Sequence, residues 1–360
     1  MKLGRSQYRV AYGLLLPAAA LLVIGLMFVY SASSGYTRNY LPRQATWVLI
    51  GLLLAVPLAL MNYREFRNYA LPIFIASVLS LVAVLLAGRE VNGARSWLGF
   101  GGLGIQPSEF AKLAVILMFG RYLADFEEHR YDPVYFLISF VILFIPLVLI
   151  LLQPDMGTAL VFVPVVLAMF YVSGTRQGLI AIVLVAGMSC LPLLWRFLST
   201  RQKQRILLTW NPEQDPWHYG YQAIQSKIAV GSGLLSGRGF MQSIQSKLNF
   251  LPERHTDFIF SVVGEEWGFA GSVVILLLYA WLVFASLSIA RRAKDVFGEV
   301  VAVGIAVMFG THIILNVGMA VGLLPIIGLP LPLLSYGGSS LLTSCIALGI
   351  LQSIHARSMA

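Results

Sequence analysis

Apolar residues in this chain come in long, almost unbroken runs separated by short polar stretches. With a window of about 19 residues, the runs fall near 10–30, 46–61, 70–87, 110–124, 134–152, 157–173, 178–195, 260–288, 299–324 and 333–354. A run apolar on all sides needs an apolar environment all round, and a bilayer core takes about 20 such residues per helix. The pattern predicts an all-α fold, a polytopic transmembrane helical bundle of about ten spans. The short second run leaves nine or eleven open. Runs five and six are separated only by Gln153-Pro154-Asp155-Met156, a tight hairpin at one membrane face. Between runs seven and eight lies a far larger segment, 196–257, expected to be one long extracytoplasmic loop within a single integral membrane domain, 1–360. The first run, Val10–Tyr30, sits between Lys2–Arg9 and Ser31-Ala32-Ser33, much as in a signal peptide. It outlasts the roughly 7–15 residues of a cleaved apolar region, so it reads as a retained first helix.

Composition supports the membrane reading. The chain is 58% hydrophobic and 11% charged, where soluble domains carry roughly 25% charged residues. A soluble core could not hide that much apolar surface, whereas a bilayer removes the need for a polar exterior. The net charge of +9 would raise nucleic acid as a partner in a soluble protein. No basic tract interleaved with aromatics supports that here, and anionic membrane lipids are the better partner. Lys2, Arg5, Arg9, Arg64, Arg67, Arg121, Arg130, Arg176, Arg291, Arg292, Lys294 and Arg357 fall on one side of the alternating spans. Arg38, Arg43, Arg89, Arg95 and Lys112 fall on the other, and the imbalance predicts both termini in the cytoplasm. Cys190 and Cys345 lie inside apolar runs with no Cys/His ligand spacing, so they read as small hydrophobes.

Polar residues that border spans are costly and tend to face the bundle interior or mark function. Four clusters stand out, all on the expected outer side. The first runs from Val91-Asn92-Gly93-Ala94-Arg95-Ser96-Trp97-Leu98 to Gln106-Pro107-Ser108-Glu109-Phe110-Ala111-Lys112. Glu109 and Lys112, three apart, share a helical face and make either a structural ion pair or part of a site. Arg95 with Trp97 suits an interfacial anchor. The second is Gln153-Pro154-Asp155-Met156-Gly157-Thr158-Ala159, where Asp155 could cap a helix. The third is the long loop, with Arg196, Arg201, Lys203, Arg205, Lys227, Arg238, Lys247 and Arg254 against Glu213, Asp215, Glu253 and Asp257. A basic surface of this kind attracts an anionic ligand. Inside it, Tyr221–Ala229 has helical apolar spacing suited to the membrane interface, and the glycines at 231–239 could approach a phosphate closely. The fourth is Pro252-Glu253-Arg254-His255-Thr256-Asp257-Phe258, followed by Glu265 and Glu266. Burial there would raise the Asp257 pKa and neighbouring cations would lower it. In the last span, Leu331–Ser340 carries small residues that packing alone could explain.

These motifs taken together resemble the SEDS family of bacterial cell-wall polymerases. The carrying segments are VNGARSWL at 91–98, QPSEFAK at 106–112, QPDMGTA at 153–159, FLPERHTDFIF at 250–260 and LPLLSYGGSS at 331–340. The short tails and the wording around 250–260 are closer to the elongation members of that family than to its division members. Leu234 after Gly233, and Ser243-Ile244-Gln245, depart from its usual pattern. The resemblance implies a peptidoglycan glycosyltransferase that polymerises lipid II at the outer face of the cytoplasmic membrane. It also implies a class B penicillin-binding protein as transpeptidase partner, within the elongation machinery. The family's essential aspartate matches Asp257, its salt-bridged pair matches Glu109 and Lys112, and its second aspartate matches Asp155.

Polymerisation joins a sugar hydroxyl to the anomeric carbon of a second lipid-linked disaccharide and expels a lipid pyrophosphate. Conversion of an α-linked donor to a β-linked product is simplest as one inverting displacement, needing a base and positive charge on the leaving group. Asp257 is the candidate base. Arg43, Arg95, Arg201, Arg205, Lys227, Lys247 and Arg254 are candidates for the pyrophosphate. Trp97, Gln106, Gln153, Glu253, His255 and Thr256 complete the candidate substrate-binding set. No cofactor is firmly implied; a divalent cation could share the charge, but no ligand set is evident. The competing readings are a flippase or transporter for a lipid-linked precursor, and a non-catalytic scaffold for the transpeptidase.

Overall fold

The structure, a computed structural model, describes residues 9–33, 40–91, 94–99, 104–129, 131–217 and 219–358. Lys2, Arg5, Arg38 and Arg130 of the charge pattern, and Asn92 and Gly93 of the 91–98 motif, lie outside the described residues. The apolar runs fold as α1 (Tyr12–Ser33), α2 (Leu41–Leu60), α3 (Tyr63–Ala87), α4 (Pro107–Asp125), α5 (Pro133–Leu152), α6 (Met156–Val172) and α7 (Gln177–Phe197). After the short helices α8 (Thr200–Leu207), α9 (Tyr219–Ser232) and α10 (Ile244–Lys247) come α11 (Ile259–Arg291), α12 (Val296–Ala320) and α13 (Gly338–Ser358). Among the described residues, seven of these helices (α1, α2, α3, α5, α11, α12 and α13) are long and apolar enough to cross a membrane. α6 and α7 present shorter apolar stretches, and α4 carries the buried charges discussed below. The fold is a polytopic helical bundle. The strands β1 (Arg89–Val91) and β2 (Ala94–Trp97) form one small antiparallel hairpin between α3 and α4.

Local chemistry sets the boundaries. α2 starts earlier than its apolar run because a proline sits in its first turn, where no amide partner is needed. The short second run is therefore a full-length helix. Asn62, Asp132, Asp155 and Asp295 cap α3, α5, α6 and α12 through their side chains. α13 begins at Gly338, five residues later than the apolar run suggests, because Leu331–Gly337 folds as turns with Leu333 at a φ of 65°. Small residues let α13 close on α2: a Cβ at Gly51 would lie 2.7 Å from the Cys345 sulfur, and one at Gly349 would lie 2.8 Å from the Ala55 carbonyl.

α11, with 33 residues, would run about 50 Å at 1.5 Å per residue, well beyond a roughly 30 Å apolar core. It breaks at Gly268, where φ is 65° and ψ is −161°. Backbone groups freed inside such a bundle must find partners, and the 234–239 segment supplies them. The amides of Arg238 and Gly239 donate to the carbonyls of Glu265 and Glu266 at 2.9 and 3.0 Å. Those of Phe269 and Ala270 donate to Leu234 and Leu235 at 2.8 and 3.0 Å. At two of the glycines read as approaching a phosphate, the close approach is instead to α11: a Cβ would stand 1.8 Å from the Gly264 carbonyl at Gly233 and 2.1 Å from the Glu266 carbonyl at Gly237. α9, read from sequence as lying in the interface, packs one face on the bundle. Its Ala223, Ser226 and Ala229 are buried, and the Ser226 hydroxyl meets Ser261 of α11 and the Ala320 carbonyl of α12.

The described chain ends lie together. The Gln352 side chain accepts from the Ala11 amide at 2.9 Å and donates to the Arg9 carbonyl at 2.9 Å. At the opposite end of the bundle, α1, α3, α5 and α12 finish while α2, α4, α6, α11 and α13 begin.

Candidate active site

Glu253 adopts a left-handed φ of 50°, and its carbonyl takes the amides of Thr256, Asp257 and Phe258 at 3.1–3.2 Å. The three carbonyls from His255 to Asp257 each receive a donor from elsewhere. His255 takes the Tyr336 amide at 2.9 Å, Thr256 the Ser335 hydroxyl at 2.6 Å, and Asp257 the Asn316 amide nitrogen at 2.8 Å. The same Asn316 nitrogen donates to Leu329 at 2.7 Å, and Ser335 accepts from the Leu331 amide at 2.8 Å. Gln44, at the start of α2, donates to the Ser335 carbonyl at 3.1 Å and accepts from the Gly337 amide. The 331–340 motif, read from sequence as packing, is the brace that fixes the backbone of the 253–257 turn.

Against this fixed backbone, the Asp257 carboxylate accepts no hydrogen bond from the described residues. It is half-buried beside Gly328, where even a Cβ would come within 3.3 Å of Oδ2. Burial and the neighbouring Glu253 carboxylate push its pKa up to about 7, and Arg205 pulls it back. A carboxyl that titrates near neutrality, with no hydrogen-bond donor on it among the described residues, is equipped to take a proton.

The other candidates divide by position. Arg205 lies close enough to Asp257 to act on its charge. Lys227 is exposed, with its side chain lying over Gly322 in the turn after α12. Thr256 donates to the Glu253 carbonyl and carboxylate. His255 is buried, stacked on Tyr40 with centroids 4.5 Å apart, and burial pushes its pKa down. Arg254 is 1% exposed and donates to the Ala32 carbonyl at the end of α1, so it closes a helix end. Gln153 is fully buried and donates to the Leu81 carbonyl, tying the α5–α6 hairpin to α3. Lys247, in α10, donates to Gln242 at 2.9 Å. Arg43 and Arg95 are exposed, at the start of α2 and in β2, and Trp97 packs over Gly104. The Arg201 side chain lies outside the described residues.

Two further centres lie beneath the turn. Asp155 accepts from the Thr158 amide and hydroxyl, Gln106 and Ser108, all at 2.9–3.1 Å, which makes it a saturated helix cap with no bond to Asp257. In α4, Lys112 pairs with Glu109 at 2.7 Å with both side chains almost fully buried, and Lys112 Nζ also lies 2.7 Å from His312 Nε2 of α12. Sequence reading missed His312 and Asn316. The available signal was two strongly polar side chains, four apart, inside an otherwise apolar span. Among the described residues, no three His, Cys, Asp or Glu side chains gather as a metal site.

Fold and site together define a polytopic helical membrane protein that carries the Asp257 carboxylate in a braced turn at one end of its bundle. The chain belongs to the cell cycle protein family of FtsW, RodA and SpoVE, whose model matches residues 12–360. It is 40% identical over 344 residues to the peptidoglycan glycosyltransferase MrdB of Escherichia coli K12, covering 95% of this chain and 92% of that one. It is 36% identical to the peptidoglycan glycosyltransferase RodA of Treponema pallidum, covering 97% and 98%. Among solved structures, a chain from a peptidoglycan synthase complex that coordinates polymerization and crosslinking matches at a TM-score of 0.82, with 32% identity and 98% of each chain covered. The rod shape determining protein RodA of Thermus thermophilus matches at 0.74, with 32% identity and 97% of each covered.

Proposed function

We propose that this chain is a peptidoglycan glycosyltransferase that polymerises lipid II, with Asp257 as the catalytic base. The observation that carries the reading is the Asp257 turn: its backbone is held from three directions, and its carboxylate carries no hydrogen bond from the described residues and has a pKa pushed up to about 7. In the proposed step Asp257 takes the proton of the acceptor sugar hydroxyl as the oxygen attacks the anomeric carbon of the donor. The bond from that carbon to the lipid pyrophosphate breaks, and the pyrophosphate leaves with the electron pair. Arg205 and Lys227 are the cations proposed to meet the leaving charge, a reading supported for Arg205 by its pull on the Asp257 carboxyl. Attack from the opposite face gives inversion.

The Asp257 end is assigned to the outer face of the bacterial cytoplasmic membrane, with both termini in the cytoplasm and 196–257 as the extracytoplasmic part of a single membrane domain. The positive-inside pattern supports this orientation. A class B penicillin-binding protein is the proposed partner, in line with the synthase complex that this chain resembles, and elongation the proposed process. The test is polymer formation from purified lipid II in detergent. The parent should make glycan, and Asp257→Ala should make none while folding and binding the transpeptidase normally. Since no membrane separates two compartments in that assay, polymer also excludes a pure flippase, and full activity of Asp257→Ala would end the assignment.

A further inference from the structure

His312 and Asn316 are four residues apart on α12 and so share a face. They hold consecutive carbonyls of one turn: Asn316 donates to Leu329, and His312 Nδ1 lies 3.3 Å from the Pro330 oxygen. That turn, through Gly328, borders the Asp257 carboxylate, and Asn316 also fixes the Asp257 carbonyl. Behind His312 stands the buried Lys112–Glu109 pair. An ammonium has donors only, so at 2.7 Å from Lys112 Nζ the His312 Nε2 must present its lone pair. The imidazole is then neutral with its proton on Nδ1, where the contact is the Pro330 carbonyl. Lys112 thus selects the tautomer that lets His312 donate to the turn, much as a partner on one ring nitrogen fixes the role of the other.

We propose that His312 is a positioning residue for Asp257, holding the Gly328–Pro330 turn in register with the carboxylate through its Nδ1–H. The buried ion pair of α4 then acts on the site through this strut rather than by touching substrate. The inference rests on the glycosyltransferase reading for its kinetic consequence, but the strut itself is a structural claim. Two substitutions separate the ring's two jobs. His312→Gln places an amide near Nε2, which keeps an acceptor for Lys112 and loses the reach to Pro330. His312→Asn places an amide near Nδ1 and keeps the strut.

The experiment is hydrogen exchange of the 253–258 and 328–337 segments in the purified full chain, run beside lipid II polymerisation kinetics and thermal unfolding in detergent. Exchange in both segments should quicken in His312→Gln and stay near the parent in His312→Asn. A displacement of about 1 Å can cost on the order of a hundredfold in rate; a partial loss of about tenfold in kcat, with KM within about twofold, is expected for His312→Gln, and His312→Asn should restore most of it. Unchanged exchange and kcat in His312→Gln would overturn the proposal. So would equal losses in both variants that follow their folded fraction, since that marks a purely structural histidine. If the parent makes no polymer, the functional reading fails, and the exchange result still decides the strut.

Discussion

Burial pushes the Asp257 carboxyl upward, Glu253 adds to that push, and Arg205 opposes it. Because the ionised form accepts the proton, polymerisation is expected to fall about tenfold per pH unit below about 7 and to level off above it. Glu253→Gln removes a raising neighbour and should move this limb to lower pH. Arg205→Gln removes a lowering one and should move it higher; limbs that stay in place would show that neither charge reaches the carboxyl. Stability follows by linkage. The folded pKa of about 7 lies above the ordinary 3.8, so the folded state holds this proton more tightly. The resulting stability is fully present below 3.8 and is lost as pH rises through 7. Asp257→Asn, which does not titrate, should therefore melt higher than the parent at about pH 8, with the gap closing toward about pH 4. At this scale the sequence singled out Asp257 as a candidate but not its support. Asp257 was conspicuous as a carboxylate beside apolar Phe258. The donors that hold it come from Asn316, Ser335 and Tyr336, and no local pattern announces a contact made 59 to 81 residues away in the chain.

At the scale of the element, the helices were legible because apolar runs of bilayer length have few other uses. What misled was any place where hydrophobicity and helicity part company. Leu331–Gly337 is apolar enough to extend the last span, yet it turns, because its backbone is spent on bracing the Asp257 segment. The break in α11 is likewise hidden in an apolar run, betrayed only by Gly268. Its clamp yields a sharp contrast. Gly233→Ala would drive a Cβ to 1.8 Å from the Gly264 carbonyl, whereas Gly231→Ala, two residues earlier, meets nothing within 4 Å. The first is expected to cost several kcal/mol, among the largest single-residue losses. The second should be neutral or gain about 0.5–1 kcal/mol from helix propensity. Thermal unfolding in detergent checks both, and a stable Gly233→Ala protein would mean that the 234–239 segment does not clamp the break.

Across the whole molecule, charge is sorted by end. At the end that carries the termini, Arg64 pairs with Asp295, and Arg67 and Arg121 pair with Asp125, in exposed bridges of small energetic consequence. At the Asp257 end, the basic count of the long segment overstates the field that a substrate meets. Arg254 is sealed against α1, Arg238 turns toward Ser232 and Glu265, and Lys247 is engaged with Gln242. Of the others, Arg205 acts on the Asp257 charge, and Lys227 is exposed over Gly322 in the turn after α12. Attraction of a pyrophosphate over a Debye length of about 10 Å should therefore depend on these two cations more than on net charge. Arg205→Gln with Lys227→Gln is expected to raise KM for lipid II by about three- to tenfold at low salt and to flatten its dependence on ionic strength. Arg64→Gln with Arg67→Gln, at the far end, removes the same formal charge and should change neither. Equal effects from both ends would mean that the molecule attracts its substrate through net charge alone, and the two cations would then lose their assigned place beside the leaving group.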